Sequence, residues 1–335
     1  MNSLDVLTLF LFNIVIYNIP LLYGTVGEII IEKSGSLNLG VPGIMYLGGI
    51  ASLVSAFLYE GACAKAGVAP SPVLLVVLPF VCAFAAAALG GLLFSFLTIT
   101  LRANQNVTGL TLTIFAGGVA NLFGGSLNKL AGGVGQISVA ATSELYRARI
   151  LGFLPLPDIV NKFLFNYGFM VYLAIILAVV LHIFLNKTNK GLNLRAVGES
   201  AATADAAGIN VTKNKYLANC IGAGISGLGG LYYVMDYIKG TWANDGNIER
   251  LGWLAVALVI FSTWKPMRSV WGSYLFGLFY WVFLYIPGLS RRAQEIFCML
   301  PYVVTIIVLI IVSMRKRKED QPPESLGQAY FREER

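Results

Sequence analysis

The sequence predicts an all-α, polytopic membrane protein with about nine transmembrane helices, some of them broken or re-entrant. Three observations predict it. Only 12% of the 335 residues are charged, against roughly 25% in an ordinary soluble domain. Eleven of the charges sit in the last 21 residues, so the other 314 residues carry only 30. The apolar residues, 57% of the chain, gather into long runs, and about 20 such residues cross a hydrocarbon core of roughly 30 Å. So few charges cannot cover a soluble protein of this size, which excludes a soluble enzyme.

The first run, residues 7–31, is interrupted by Asn13, Asn18 and Pro20. The second, 39–59, opens behind a polar, glycine-punctuated stretch, and its Pro42 suits a first helical turn, where a missing N–H costs nothing. Runs three and four cover 73–101 and 107–125. A polar stretch, 126–166, holds Gly132, Gly133, Pro155 and Pro157 and leads to run five, 167–185. The polar loop 186–215 precedes run six, 216–238. Run seven, 251–264, is too short to span unaided, so it is tilted into its flanks or re-entrant. Runs eight and nine are 270–286 and 296–314. Residues 1–314 thus form one membrane domain and 315–335 a polar tail.

Charge placement sets the sidedness. With the tail in the cytoplasm, alternation puts 15 of the 24 Lys and Arg inside and nine outside, the sign required by the positive-inside rule. The N-terminus then lies outside. The net charge of +7 reports topology and not nucleic acid, because no basic stripe runs beside aromatics. Cys63, Cys82, Cys220 and Cys298 show no CxxC spacing and read as small buried hydrophobes. Paired glycines along the chain, and Gly222, Gly224, Gly227, Gly229 and Gly230 in run six, suit close helix packing. There is no phosphate-binding GxxxxGK[ST] loop, no HExxH and no GxSxG. The intramembrane carboxylates Glu28 and Asp236 lie near run ends, within reach of the interface, and no Asp/Glu/His relay connects them.

Three polar stretches carry the chemistry. Residues 32–43 form a polar approach to run two, either a cytoplasmic turn or a helix N-terminus whose unpaired N–H groups face a ligand. Residues 102–109 cluster Asn104, Gln105, Asn106 and Thr108 at the start of run four, which also carries Asn121. They either line a polar cavity or form an interfacial loop with Asn106 or Thr108 as the helix cap. Residues 190–209 place a short small-residue helix, 201–207, between a Ser200 cap and Gly208. Too short to be stable alone, it packs on its own chain or docks on a partner.

These stretches resemble the membrane permease subunits of ABC importers in the branched-chain amino acid and ribose permease superfamily. They are most similar there to nucleoside and simple-sugar permeases served by a Bmp-type binding lipoprotein. The family pattern E-[KR]-S-G-x-x-N-[IL]-G is matched by residues 32–40, and G-L-x-L-R-A-x-G-E by residues 191–199, with Ala202 and Gly208 following. A third pattern is largely matched by Gly252, Trp253, Ala255, Val256, Ala257, Ile260, Phe261, Trp264 and Pro266. Pro42, just after the first stretch, and Ser262, within the third, depart from the family patterns. The likeness covers about residues 20–285.

The resemblance implies a transport subunit in the cell membrane and not an enzyme. No cofactor is expected in this chain; ATP and Mg belong to a cytoplasmic ATPase. It implies a second permease, identical or homologous, an extracytoplasmic substrate-binding lipoprotein, and a nucleoside or related polar metabolite as cargo. Ribose-type sugars or branched-chain amino acids are the alternative cargo, and an ion-coupled secondary transporter the alternative class. The loop places Gly191, Leu194, Arg195, Gly198, Glu199, Ala202, Ala206 and Gly208 at the ATPase coupling surface. A nucleobase and ribose call for aromatic faces and neutral amides. Asn38, Gly40, Asn104, Gln105, Phe115, Asn121 and Trp253 therefore stand as pathway residues, with Trp242 and Asn244 on the outer side.

Overall fold

The computed structural model describes residues 3–130, 137–149, 165–243, 245–286, 288–315, 317 and 320–331. Among them are twelve α-helices and a single β contact, the bridge between Ser138 and Thr241. Helix α1 spans Ser3–Lys33 and passes through Pro20. Helix α2, Val41–Ala66, has Pro42 in its first turn and closes on Gly67 at φ 65°. Helix α3, Pro72–Ser95, continues into a π-helical turn, Phe96–Thr100. Helix α4 is Gln105–Leu130 and the short α5 is Ala140–Arg147. Helix α6, Phe169–Lys187, is followed by α7, Asn189–Glu199, and α8, Ala201–Ala206. Helix α9, Val211–Tyr232, ends in a second π-helical turn, Tyr233–Tyr237. Helices α10, Asn247–Phe261, α11, Pro266–Trp281, and α12, Arg291–Arg315, complete the order, with a 3₁₀ turn after α11.

Helix α9 is the axis of the bundle and packs along α1, α2 and α3. Of its most apolar window 83% is buried, against 11% for α12 at the periphery. Glycine makes this possible. A Cβ on Gly230 would sit 2.8 Å from the Gly49 nitrogen and overlap the Met45 carbonyl oxygen. Small residues replace the hydrophobic effect as the organising force between helices in lipid, because close backbone approach gains dispersion contacts. Asn219, fully buried on α9, donates to Ser95 Oγ at 3.0 Å and ties α9 to α3.

Seven described helices are long and apolar enough to cross a membrane: α1, α2, α3, α4, α6, α9 and α12. The expected count of nine is not reached by that measure. Runs seven and eight fold as α10 and α11, of 15 and 16 residues. At 1.5 Å per residue each is roughly 23 Å long, short of a hydrocarbon core. The cysteines are free but half-exposed, not buried, because they stand on outward helix faces.

Candidate functional site

After Lys33 the chain folds back along α1, so that Asn38 lies beside Glu28, ten residues earlier. Irregular backbone at membrane depth survives only where protein satisfies its polar groups, and here each partner can be named. The Leu37 N–H donates to Gln105 Oε1 at 2.6 Å. The Gly40 N–H donates to Asn38 Oδ1 at 2.9 Å, and Thr113 Oγ1 donates to the Leu39 carbonyl. Asn38 Nδ2 donates to Glu28 Oε2 at 3.3 Å. Gly109 of α4 lets the loop approach, since a Cβ there would meet the Leu39 nitrogen at 2.7 Å. Asn38, Gly40 and Gln105 are thus brought together as a buried knot. Glu28 and Asp236, near run ends, are both buried within the protein. Glu28 turns inward because the returning loop covers it.

A second knot closes beside the first. Thr263 and Trp264, joining α10 to α11, adopt φ of 52° and 54°, a left-handed conformation costly for side chains of this bulk. Trp264 Nε1 donates to Glu32 Oε2, and Arg268 donates to Thr263 Oγ1 at 2.6 Å. Asp320 of the tail receives Lys265 at 2.7 Å and Arg268 at 2.9 Å. The hydrogen bond from Lys265, with both cationic charges, holds the Asp320 carboxyl below its ordinary value.

The loop between α6 and α9 divides its predicted coupling residues into two sets. Thr188 caps α7 by accepting from the Gly191 N–H at 3.0 Å. Gly191, Leu194 and Gly198 are buried. A Cβ on Gly198 would overlap the Lys33 carbonyl oxygen and sit 3.2 Å from the Gly35 nitrogen, so α7 presses backbone to backbone on the turn after α1. Arg195 is half-buried, with its Nε enclosed and without a partner among the described residues. Ser200 caps α8. Ala201 and Ala204 face inward, against Val197 and Val211, while Ala202 and Ala206 face out with Gly208 and Glu199. One face of α8 therefore packs on its own chain and the other is exposed.

The sequence gives no sign of what the tail does. Ser325 donates to the Gly198 carbonyl through its N–H at 3.0 Å and its hydroxyl at 2.5 Å. The Gly327 N–H donates to the Gly35 carbonyl. Tyr330 donates to Asp205 Oδ2 at 2.8 Å, and Phe331 lies under the Arg102 guanidinium, 4.4 Å from ring centre to charge. The tail laces four loops at this end of the bundle, including both glycine motifs.

The remaining predicted residues lie on or near α4. Asn104 and not Asn106 or Thr108 caps that helix, accepting from the Val107 N–H at 3.1 Å. Asn104, Thr111, Phe115, Gly118 and Asn121 are spaced seven, four, three and three apart and share one face of α4, on which all are exposed. Trp242 is buried against Gly124, with Tyr46 alongside at 6.4 Å. Trp253 is half-buried on α10. Asn244 lies outside the described residues.

The chain matches the model of the branched-chain amino acid transport system permease component over residues 10–309. The chain belongs to that family. The permease is 30% identical over 319 residues to the nucleoside ABC transporter permease protein NupC of Lactococcus lactis, covering 93% of this chain and 94% of that one. It is 29% identical to the guanosine ABC transporter permease protein NupQ of Bacillus subtilis, over 92% and 93% of the two chains. It is 33% identical to the putative glucose ABC transporter permease protein TsgC13 of Haloferax volcanii, over 82% and 75%. No solved structure matches it. Family membership makes the permease a multi-pass membrane transport component rather than an enzyme, and implies ATPase and substrate-binding partners.

Proposed function

We propose that the permease is the membrane subunit of an ABC importer for nucleosides or related neutral polar metabolites. The observation that carries this reading is the exposed face of α4. Asn104, Thr111, Gly118 and Asn121 stand there beside Phe115, on a helix apolar enough to span. Amides and hydroxyls at membrane depth face a partner or a watery path, not lipid. A second permease, identical or homologous, placed across this face completes a pathway whose amides pair with ribose and base and whose ring stacks on the base. The near full-length likeness to nucleoside permeases supports the cargo.

The exposed side of α8 is the docking surface for a cytoplasmic ATPase, which alone binds ATP and Mg. An extracytoplasmic lipoprotein delivers substrate to the other end. Nine crossings suit this arrangement: α10 and α11 connect the knot at Trp264 and Glu32 with the cluster of Tyr17, Tyr237 and Trp281 at the opposite end. Odd crossings with a cytoplasmic tail leave the N-terminus outside, in keeping with the positive-inside rule.

The test is uptake of labelled adenosine or uridine into proteoliposomes holding both permeases, the ATPase and the lipoprotein. ATP-dependent uptake is expected, with Asn121→Leu lowering it at least ~10-fold, equivalent to about 1.4 kcal/mol. Uptake by this chain alone, driven by an ion gradient, refutes the reading.

A further inference from the structure

We infer that the tail and the start of α9 build a second docking surface, a basic groove that receives an acidic segment of the ATPase. The inference rests on the importer reading above. A groove of about 720 Å³ lies between the end of α3, the turn after α8 and the tail. Arg102, Lys213 and Lys215 line it, with Gln328 and Tyr330 as its outer wall. Lys215 is 3% exposed at its base, while Arg102 and Lys213 stand open at its rim. Among the described residues no carboxylate forms an ion pair with any of the three, the ion pairs being those of Asp320. The one acidic side chain on the wall, Asp205, accepts the Tyr330 hydroxyl.

A buried ammonium without a counter-charge is costly, and its cost falls when a carboxylate arrives. Position decides the source of that carboxylate. Asp205 and Gly208 belong both to the groove wall and to the α8 segment whose Ala202 and Ala206 face outward. A protein seated on α8 therefore meets the groove without a gap. The tail is part of this surface and not an appendage to it: Tyr330 packs beside Ala201 and Ala204 and so supports the six-residue α8 from behind, which is too short to hold itself. Phe331 meanwhile holds the Arg102 side chain, whose backbone sits at φ 58°.

The experiment measures binding of the purified ATPase subunit to full-length permease in nanodiscs of phosphatidylcholine, between 0.05 and 0.3 M salt. Wild type is expected to bind, and to bind more weakly as salt rises, since opposite charges are screened. Arg102→Glu/Lys213→Glu, both at the exposed rim, is expected to weaken binding by ~10-fold or more and to flatten the salt dependence. Exchange of the contacting acidic residue of the ATPase for Lys is expected to restore it. Tyr330→Phe, which keeps the ring, is expected to cost a few-fold. Salt-independent wild-type binding, or full binding by the double variant, overturns the groove. Full ATPase binding with lost attachment to phosphatidylglycerol vesicles assigns it to lipid headgroups and overturns it equally. Failure of wild type to bind any ATPase while transporting alone refutes the importer reading itself.

Discussion

Gly198→Ala is the sharpest single test of how α7 meets the bundle. The added Cβ would overlap the Lys33 carbonyl oxygen and sit 3.1 Å from its carbon and 3.2 Å from the Gly35 nitrogen. All three are backbone atoms of a turn already fastened by Gln105 and the tail, so no rotamer change relieves the clash. Overpacking of this kind costs about 1–3 kcal/mol. The Gly198 carbonyl also receives two bonds from Ser325, each contributing about 0.5–1.5 kcal/mol net, and a displaced α7 weakens both. The sum, roughly 2–6 kcal/mol with both bonds lost, falls on the seating of α7 and the tail rather than on the helices around α9. Thermal unfolding of purified permease, ATP-driven uptake and tryptic cleavage of the tail read it together. Melting should drop by a few degrees, uptake by ~10-fold or more, and the tail should be cut faster. Gly208→Ala is the control for melting and tail cleavage. That glycine has φ of +84° but no atom within 4 Å of an added Cβ, so only the left-handed backbone penalty of about 1–2 kcal/mol applies. Wild-type melting and uptake in Gly198→Ala would refute the reasoning.

Other perturbations separate the packing from the knots. Gly230→Val drives a side chain into the Met45 carbonyl on the central helix and should abolish monodisperse permease on size-exclusion chromatography, because two helices must part. Trp264→Phe keeps an aromatic ring, though a smaller one, and removes the bond to buried Glu32; a loss of at least about 1–3 kcal/mol is expected, read as a lower midpoint in thermal unfolding. Asp320 has a carboxyl depressed by Lys265 and Arg268, so its contribution is present above the unfolded value of about 3.9 and is lost as pH falls through the lower folded value. A fluorophore on the tail should report steady docking from pH 8 to 5 and release only below about 4. Asp320→Asn should loosen the tail from pH 5 to 8 by roughly 0.5–1 kcal/mol, as partly solvated pairs do, and the difference from wild type should vanish once Asp320 is protonated.

The scarcity of charge and the long apolar runs were enough to locate the seven described helices that are long and apolar enough to cross a membrane, because burial in lipid is a local demand that each segment meets by itself. The same logic leaves α10 and α11 open, since at 15 and 16 residues they are short for a crossing. The apolar stretch of α10 ends at the Thr263–Trp264 turn, which Glu32 and Asp320, distant in sequence, hold. Glu28 looked like an interfacial acid since hydropathy cannot see a loop folding back across it. Asn38 and Gln105 stand in the sequence as pathway residues; the fold shows both buried, Gln105 accepting from the Leu37 N–H and Asn38 bonding Glu28 and the Gly40 N–H.

By itself the sequence determined the membrane class, the order of the helices, the sidedness expected from charge, and the family through its glycine-rich motifs. These depend on composition and on short patterns. The tertiary structure alone decided which glycines touch which backbones, which side of α8 is exposed, which face of α4 carries its amides outward, and that the tail binds the loop between α6 and α9. Each of these depends on contacts between residues far apart in the chain: 127 positions separate Ser325 from Gly198, and 232 separate Trp264 from Glu32. No local pattern encodes such a contact, because its free energy appears only when both partners have already been brought together.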